Sequence, residues 1–345
     1  MDELESSRMS SQIQSLSSGE IARKIGKRAN QAASVSRILD YRSRRAEQTL
    51  RRQDADLLLF REFLAYANFH THDLAQETSS WQNITWGLVE AFTKWQLTKG
   101  YAIQSINVRL STIKTYARLA MQGGSIQPQE YALIRSVQGY SFREQTRIDQ
   151  KREITRIGLK KSTPIKLDLD QAKKLKDQPD TPQGRRDTFL LCLLLDHGLR
   201  VGEVAALAAS DFSIEEQQLR FFHPKVNKEQ IHKLSTDTLN ALRNYQLHGD
   251  MPQKGLVLRR SKKNQELGEA GMSERAITGR VATLGEKIGI SGLSAHDCRH
   301  FWATSAARHG TDPFVLQEAG GWSSLAMPRR YVENNHIANE GVKLE

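Results

Sequence analysis

Five short stretches of the 345-residue chain carry side chains fit for chemistry. HGLRVGEVAAL places Arg200 just after Gly198, where one helix should end and the next begin. Glu203 follows three residues later and is able to hold it. LRFFHPKVNKEQIHKLS reads as a hairpin with Lys225 at its tip, where a flexible amine can reach into a site. SAHDCRHFWAT puts His296 and Arg299 three apart, on one face of a turn entering a helix, with His300 and Phe301 turned toward the core. In EAGGWSS, Gly320-Gly321 lets the backbone bring Trp322 close to a neighbour, and PRRYVENN sets Tyr331 after Pro328 and beside Arg330. The types are two guanidiniums, an amine, an imidazole, an indole N–H and a phenol: hydrogen-bond donors, mostly cationic, and one candidate nucleophile. Singly, each has an ordinary explanation as a helix ion pair, a solvated lysine, a core tryptophan or a surface tyrosine.

Order and spacing change that balance. An Arg, a Lys 25 residues on, His-x-x-Arg, Gly-Gly-Trp-Ser-Ser, and a Tyr nine residues after the Trp resemble the active site of the tyrosine recombinase (phage integrase) family. HGLRVGEVAAL is similar to the family's first conserved box and SAHDCRHFWAT to its second, and the resemblance runs from about Thr49 to the C-terminus. It implies a site-specific DNA recombinase with Arg200, Lys225, His296, Arg299, Trp322 and Tyr331 as catalytic residues and Glu203 in support. Such chemistry needs a nucleophile, neutralised phosphoryl oxygens and a proton for the leaving oxygen. Arg200 and Arg299 would grip the nonbridging oxygens. His296 would take the tyrosine proton or donate to the phosphate. The family more often has His where Trp322 stands; an indole N–H can hold an oxygen but does no acid–base work. Tyr331 would form a 3′-phosphotyrosyl link, and Lys225 would protonate the departing 5′-oxygen, with Lys228 its nearby rival. The covalent link conserves the ester's energy, so no ATP is expected, and the cations leave no charge work for a metal; no cofactor is expected either.

Elements must hold these residues in place. The resemblance implies a mostly α protein: a helical core-binding (SAM-like) domain and an α+β catalytic domain with a small hairpin, closing as a C-shaped clamp on DNA. Residues 1–45 read as a polar, basic arm or helix. Residues 46–143 carry apolar positions at helical spacing, such as Leu57, Phe60, Phe63 and Leu64, then Trp86, Val89 and Phe92. A third helix follows Ser105 as N-cap and stops at Gly123-Gly124, and a fourth runs from Pro128 to Val137. Residues 144–165 are charged, poor in large apolar groups and read as a basic linker. Residues 166–345 hold a buried helix at TFLLCLLLDH, hairpin strands at Leu219–Phe222 and Gln230–Leu234, and then several helices. Arg109, Lys114, Arg118, Lys160 and Lys161 are the candidates for touching DNA phosphates, solvated charge being the plain alternative.

The formal net charge is +11. Up to Ile165 there are 25 Lys and Arg against 16 Asp and Glu, a balance of +9; beyond it the count is 25 against 23. A basic half is the footprint of a polyanionic partner. No apolar run nears the roughly 18 residues of a membrane span, and the polar MDELESSRMSSQ is no secretory signal. Cys192 and Cys298 read as reduced core thiols of a cytoplasmic protein, with no zinc site. The resemblance implies double-stranded DNA as partner and a homotetramer joined by exchange of the tail VENNHIANEGVKLE, in integration, excision or resolution of DNA elements. Two rivals remain. A type IB topoisomerase-like enzyme would share the chemistry without pairing two sites. A DNA-binding protein without catalysis would have no use for Tyr331.

Overall fold

A computed structural model describes residues 18–158, 164–223, 226–264 and 266–333. The chain divides into two compact units, Met1–Lys160 and Lys161–Glu345.

Among its described residues the first unit has helices and no strand: α1 (Ser18–Val35), α2 (Arg37–Ser43), α3 (Glu47–Tyr66), α4 (Trp86–Thr98), α5 (Ile103–Gln122), α6 (Pro128–Ser136) and α7 (Phe142–Asp149). The apolar residues spaced three and four apart on α3 and α5 do what that spacing demands. Leu57, Phe60 and Leu64 meet Ile113, Tyr116 and Ala120 in one buried cluster. Aromatic rings fill its centre, with Phe60 4.9 Å and Phe63 5.5 Å from Phe92, ring centre to ring centre. Trp81 is fully buried, and its indole N–H donates to the Leu74 carbonyl at 3.0 Å. The expected cap at Ser105 is displaced: α5 starts one turn earlier, after an extended Ala102.

Two boundaries differ from the sequence reading. The arm read over residues 1–45 ends in α2, which packs with this unit. Ile38 is 1% exposed, and the Arg42 guanidinium bonds Asp54 at 2.5 and 3.1 Å and the Tyr116 hydroxyl at 3.0 Å. The stretch read as a linker from 144 lies partly in α7, started by a capping box in which Ser141 and Glu144 satisfy each other's backbone N–H. No residue of α7 is buried, so the apolar pattern that betrays other helices is absent there. Beyond it, Arg152 donates to the carbonyls of Leu97 (3.3 Å) and Tyr101 (3.0 Å) and holds the chain to the first unit.

The second unit is built on α9 (Pro182–Asp196), preceded by α8 (Leu169–Lys176). Thr181 caps α9 and Pro182 opens it, and every residue from Phe189 to Leu195 is at most 2% exposed. Gly198, at φ +60°, ends the turn after it and starts α10 (Val201–Ala206). A three-stranded antiparallel sheet follows: β1 (Phe212–Ser213), β2 (Gln218–His223) and β3 (Lys228–Lys233), with Phe221 opposite Gln230 and His223 opposite Lys228. Then come α11 (Thr236–Leu247), the two-stranded β4 (Arg259–Ser261) and β5 (Leu267–Gly271), α12 (Glu274–Lys287), α13 (Ala295–Arg308), α14 (Pro313–Ala319) and α15 (Ala326–Glu333). The second sheet was not anticipated in the sequence, since its short strands show no apolar alternation. Cys192 and Cys298 are both buried and neither is in a disulfide. Among the described residues, no helix is long and apolar enough to cross a membrane.

Packing of α2 into the first unit predicts that Ile38→Ala lowers unfolding free energy by about 2–5 kcal/mol, the range for truncating a buried aliphatic side chain. Urea unfolding of the intact protein measures it. An unchanged midpoint would mean that residues 37–43 form a free arm.

Candidate active site

Glu203 is the fixed point of the site. Its carboxylate is 4% exposed and accepts from the Arg200 backbone N–H at 2.7 Å and the Arg200 Nη1 at 2.7 Å, and it meets His223 Nδ1 at 2.7 Å. The backbone contact works because Arg200 is the N-cap of α10 and Glu203 is three residues in, the geometry of a capping box. Burial alone would raise the Glu203 carboxyl, but the bonds from His223 and from Arg200 outweigh it and hold the group down at about 2.

Arg200 is thereby aimed across the unit. Its Nη2 donates to the carbonyls of Gly320 (3.2 Å) and Gly321 (2.9 Å). Arg299 reaches the same place from α13. Its Nη1 donates to the Gly198 carbonyl at 2.5 Å and its Nη2 to Gly320, so one carbonyl gathers both guanidiniums. Arg299 is 5% exposed. Burial and the neighbouring Arg200 lower it to about 10, still charged at neutral pH. Helix α13 is held by Asp297, which accepts from Ser294 N–H (2.8 Å) and Oγ (2.6 Å) and from the Ile165 N–H (2.9 Å).

Trp322 covers the Arg299 guanidinium, 4.6 Å from its ring centre, in a cation–π contact, and lies 5.9 Å from Tyr331. Gly321, at φ +56°, presses on the His223 ring so closely that a Cβ there would stand 2.8 Å from it. Tyr331, on α15, is 4% exposed, and burial raises its phenol against the pull of Arg299 and Arg330. Its other wall is His300, edge-on at 5.0 Å; His300 therefore flanks the tyrosine rather than filling the core. His296 stands exposed on the first turn of α13, so the His-x-x-Arg pair sends one member to solvent and one inward.

Arg200, Glu203, Arg299, Trp322 and Tyr331 thus form one connected cluster. Lys225 lies outside the described residues, as do Lys160, Lys161 and the tail from residue 334. Lys228, the rival to Lys225 in the sequence reading, pairs with Glu318 at 3.1 Å. The sequence reading passed over His223, whose only signal is its place two residues before Lys225 on a strand.

In the first unit the basic candidates part ways. Arg109 bonds Gln96 at 3.0 Å, lies 3.8 Å from Asp56 and stacks on Tyr101 at 4.2 Å, so its charge serves the domain's interior. Lys114 and Arg118 line a depression with Arg135, although Lys114 also donates to the Val137 carbonyl at 2.5 Å. Arg118 lines a second hollow with Arg37, Arg44 and Arg45, which sequence reasoning left in the arm.

The ionised Glu203 makes a pH signature. A carboxyl depressed in the fold adds stability above its unfolded value of about 4.5, and that contribution fades as pH falls through about 2. Glu203→Gln should therefore destabilise the protein near pH 7, by about 3–5 kcal/mol as for other broken buried pairs. The gap from the parent should narrow below about pH 4. Thermal melts across pH measure this, and a gap that does not vary with pH would contradict an ionised Glu203.

Residues 166–337 match the phage integrase family model. The tyrosine recombinase XerD of Proteus mirabilis is 27% identical over 280 residues, spanning 79% of this chain and 80% of that protein. XerD of Yersinia pestis is 30% identical over 213 residues, 59% of this chain and 68% of the relative. Among solved structures, the Tn1549 transposon integrase with transposon right end DNA has a TM-score of 0.61 at 14% identity, covering 87% of this chain and 93% of that one. A lambda integrase dimer bound to a COC′ core site has a TM-score of 0.59 at 14% identity, covering 89% and 96%. Those two likenesses speak for the fold, and the sequence matches for the lineage: the chain belongs to the tyrosine recombinase family, enzymes that break and rejoin DNA strands at specific sites.

Proposed function

We propose that Tyr331 cuts one strand of a duplex recombination site by attacking the scissile phosphorus. The P–O bond to Tyr331 forms as the bond to the 5′-oxygen breaks. His296, on the solvent-facing first turn of α13, takes the phenol proton or donates to the phosphate once DNA covers it, and Lys225 supplies a proton to the 5′-oxygen. Arg200 and Arg299 bind the nonbridging oxygens, and the Trp322 N–H adds a neutral donor. Attack by an incoming 5′-hydroxyl reverses the step, with no input from ATP and no metal. The observation that carries this reading is the convergence of both guanidiniums on Gly320, with Trp322 and Tyr331 packed about Arg299. Two fixed cations at one point suit the dianionic, five-coordinate phosphorus of the transition state.

Around that centre, Lys114, Arg118, Arg135, Arg37, Arg44 and Arg45 give the first unit a basic surface for DNA phosphates; contacts of this kind supply most of the affinity and make it salt-dependent. Lys160 and Lys161, next in sequence, would add to it. The active form would be a homotetramer on two sites, joined by the C-terminal tail, in the cytoplasm where a mobile or chromosomal DNA element is integrated, excised or resolved.

Tyr331→Phe should abolish the covalent protein–DNA adduct while leaving DNA affinity nearly unchanged. Arg200→Ala and Arg299→Ala should each slow cleavage on the order of 10²-fold or more. Denaturing gels of trapped complexes decide the first point; an adduct from the Phe variant would name another nucleophile.

Lys225→Ala should be slow on an ordinary phosphodiester and recover on a substrate with sulfur in place of the bridging 5′-oxygen, since a thiolate leaves without a proton. Lys228→Ala should be little affected on either. Rescue of the Lys228 variant alone would reverse the assignment.

A further inference from the structure

Helix α13 brings a second tryptophan to the guanidinium cluster. Trp302 is three residues past Arg299 and so stands beside it on one helix face. Its ring centre is 6.1 Å from that of Trp322, with the two planes 29° apart. The Arg299 guanidinium carbon is 6.0 Å from the Trp302 ring centre and 4.6 Å from that of Trp322. The two indoles and the guanidinium are therefore mutual neighbours, and backbone closes the group. Gly198 seats Trp302 so tightly that a Cβ there would stand 2.2 Å from its ring, while the Gly198 carbonyl accepts from Arg299. Gly320 does the same for Trp322: a Cβ would stand 2.1 Å from that ring, and the carbonyl accepts from both arginines. Each glycine thus receives an indole on its α-carbon and a guanidinium on its oxygen.

Trp302 is no part of the core. It is half-buried, and it stands outside both the buried cluster of this unit and the apolar side chains packed against that cluster. Trp302 borders a hollow of about 610 Å³, and Trp322 borders one of about 330 Å³. Beside open space, a ring keeps its orientation only through the surfaces it touches. The main chain of Trp322 is fixed by Gln317, whose carbonyl accepts its N–H and whose amide donates to its carbonyl, each at 3.1 Å. The rotation of the Trp322 ring is left to Gly320, Arg299, Tyr331 and Trp302. On the reading given above, Arg299 and Tyr331 both engage the substrate. That leaves Gly320 and Trp302 as the contacts that do not.

We propose that Trp302 is a positioning residue: its ring stacks on Trp322 and holds that indole against Arg299, so that the Trp322 N–H is aimed at the phosphate. This deepens the reading of Trp322 as a phosphate donor and rests on it. In this role Trp302 acts through its neighbour and touches no reacting atom. The role needs a flat ring, because an aliphatic side chain supplies volume without a face to stack on. A donor already aimed costs no search when the charge on the phosphate develops, which is the gain that orientation supplies.

The test uses the full-length protein in single-turnover cleavage at saturating DNA, with a suicide substrate that traps the covalent adduct. Trp302→Phe keeps a flat ring, Trp302→Leu replaces it with an aliphatic one, and Trp322→Phe removes the indole N–H. Melting temperature, DNA affinity and the circular dichroism couplet of paired indoles are recorded for each. The parent should show the couplet and Trp322→Phe should lose it. We expect Trp302→Leu to cleave on the order of tenfold more slowly and Trp302→Phe to stay within about twofold of the parent, at matched melting temperature and affinity. Trp322→Phe should be slowed at least as much as Trp302→Leu, and combining the two should cost nothing further, since both act through one N–H. Equal slowing by Leu and Phe at position 302, no slowing by Leu, additive losses in the double variant, or a spectrum unchanged by Trp322→Phe would overturn the proposal while leaving Trp322 as a donor. If Trp322→Phe itself cleaves like the parent, the donor reading fails and this inference fails with it.

Discussion

A single carboxylate, that of Glu203, organises the catalytic unit. An ionised carboxyl in an interior is costly unless its lone pairs are taken, and here a backbone N–H, a guanidinium and an imidazole take them. Remove the carboxylate and each of these three loses its anchor. Arg200 would no longer be steered toward Gly320, the first turn of α10 would lose its cap, and His223 would be left with Gln230 and a long 3.4 Å contact to Arg200 Nη1. What the substrate would meet, two guanidiniums at one point, follows from an interaction made on the side away from it.

The two units use arginine differently. In the catalytic unit Arg200 and Arg299 are brought together despite their like charge, and the cost appears in the lowered Arg299. Main-chain carbonyls of Gly198, Gly320 and Gly321 offset it. In the helical unit several arginines are internal struts. Arg42 joins α2 to α3 and α5, Arg109 lies against Asp56 and Tyr101, and Arg152 fastens the chain beyond α7. A net charge therefore overstates what is left for a polyanion, which falls to exposed residues such as Arg118, Arg44 and Arg45.

Much of the site was legible because its residues sit in local motifs. Arg200 and Glu203 are three apart on one helix start, and spacing alone pairs them; His296 and Arg299 are also three apart, but the fold turns the first to solvent and the second inward. The leucine-rich α9 and the stop at Gly198 were equally plain. His223 was not, since its partners lie 20 residues back, seven ahead and across the turn before Trp322, and no periodicity links them. Helix α7 was missed because it buries nothing; α2 was read as arm or helix, and its one buried residue, Ile38, is too little pattern to show that it packs with the first unit. The sequence offered Arg109 for phosphate on its charge alone, and only the fold shows Asp56, Gln96 and Tyr101 around it.

The Gly320 carbonyl has a consequence for how this site can change over time. It is a main-chain atom, shared by both guanidiniums, and no codon change can delete it or alter its chemistry. Drift can reach it only by moving the turn, and there the close seat of Gly321 on the His223 ring makes almost any side chain a collision. The spacing of the two cations is thus inherited through backbone shape rather than through a replaceable side chain. Related chains could exchange the residue at Trp322 or on the hairpin and still keep the same separation between their two arginines.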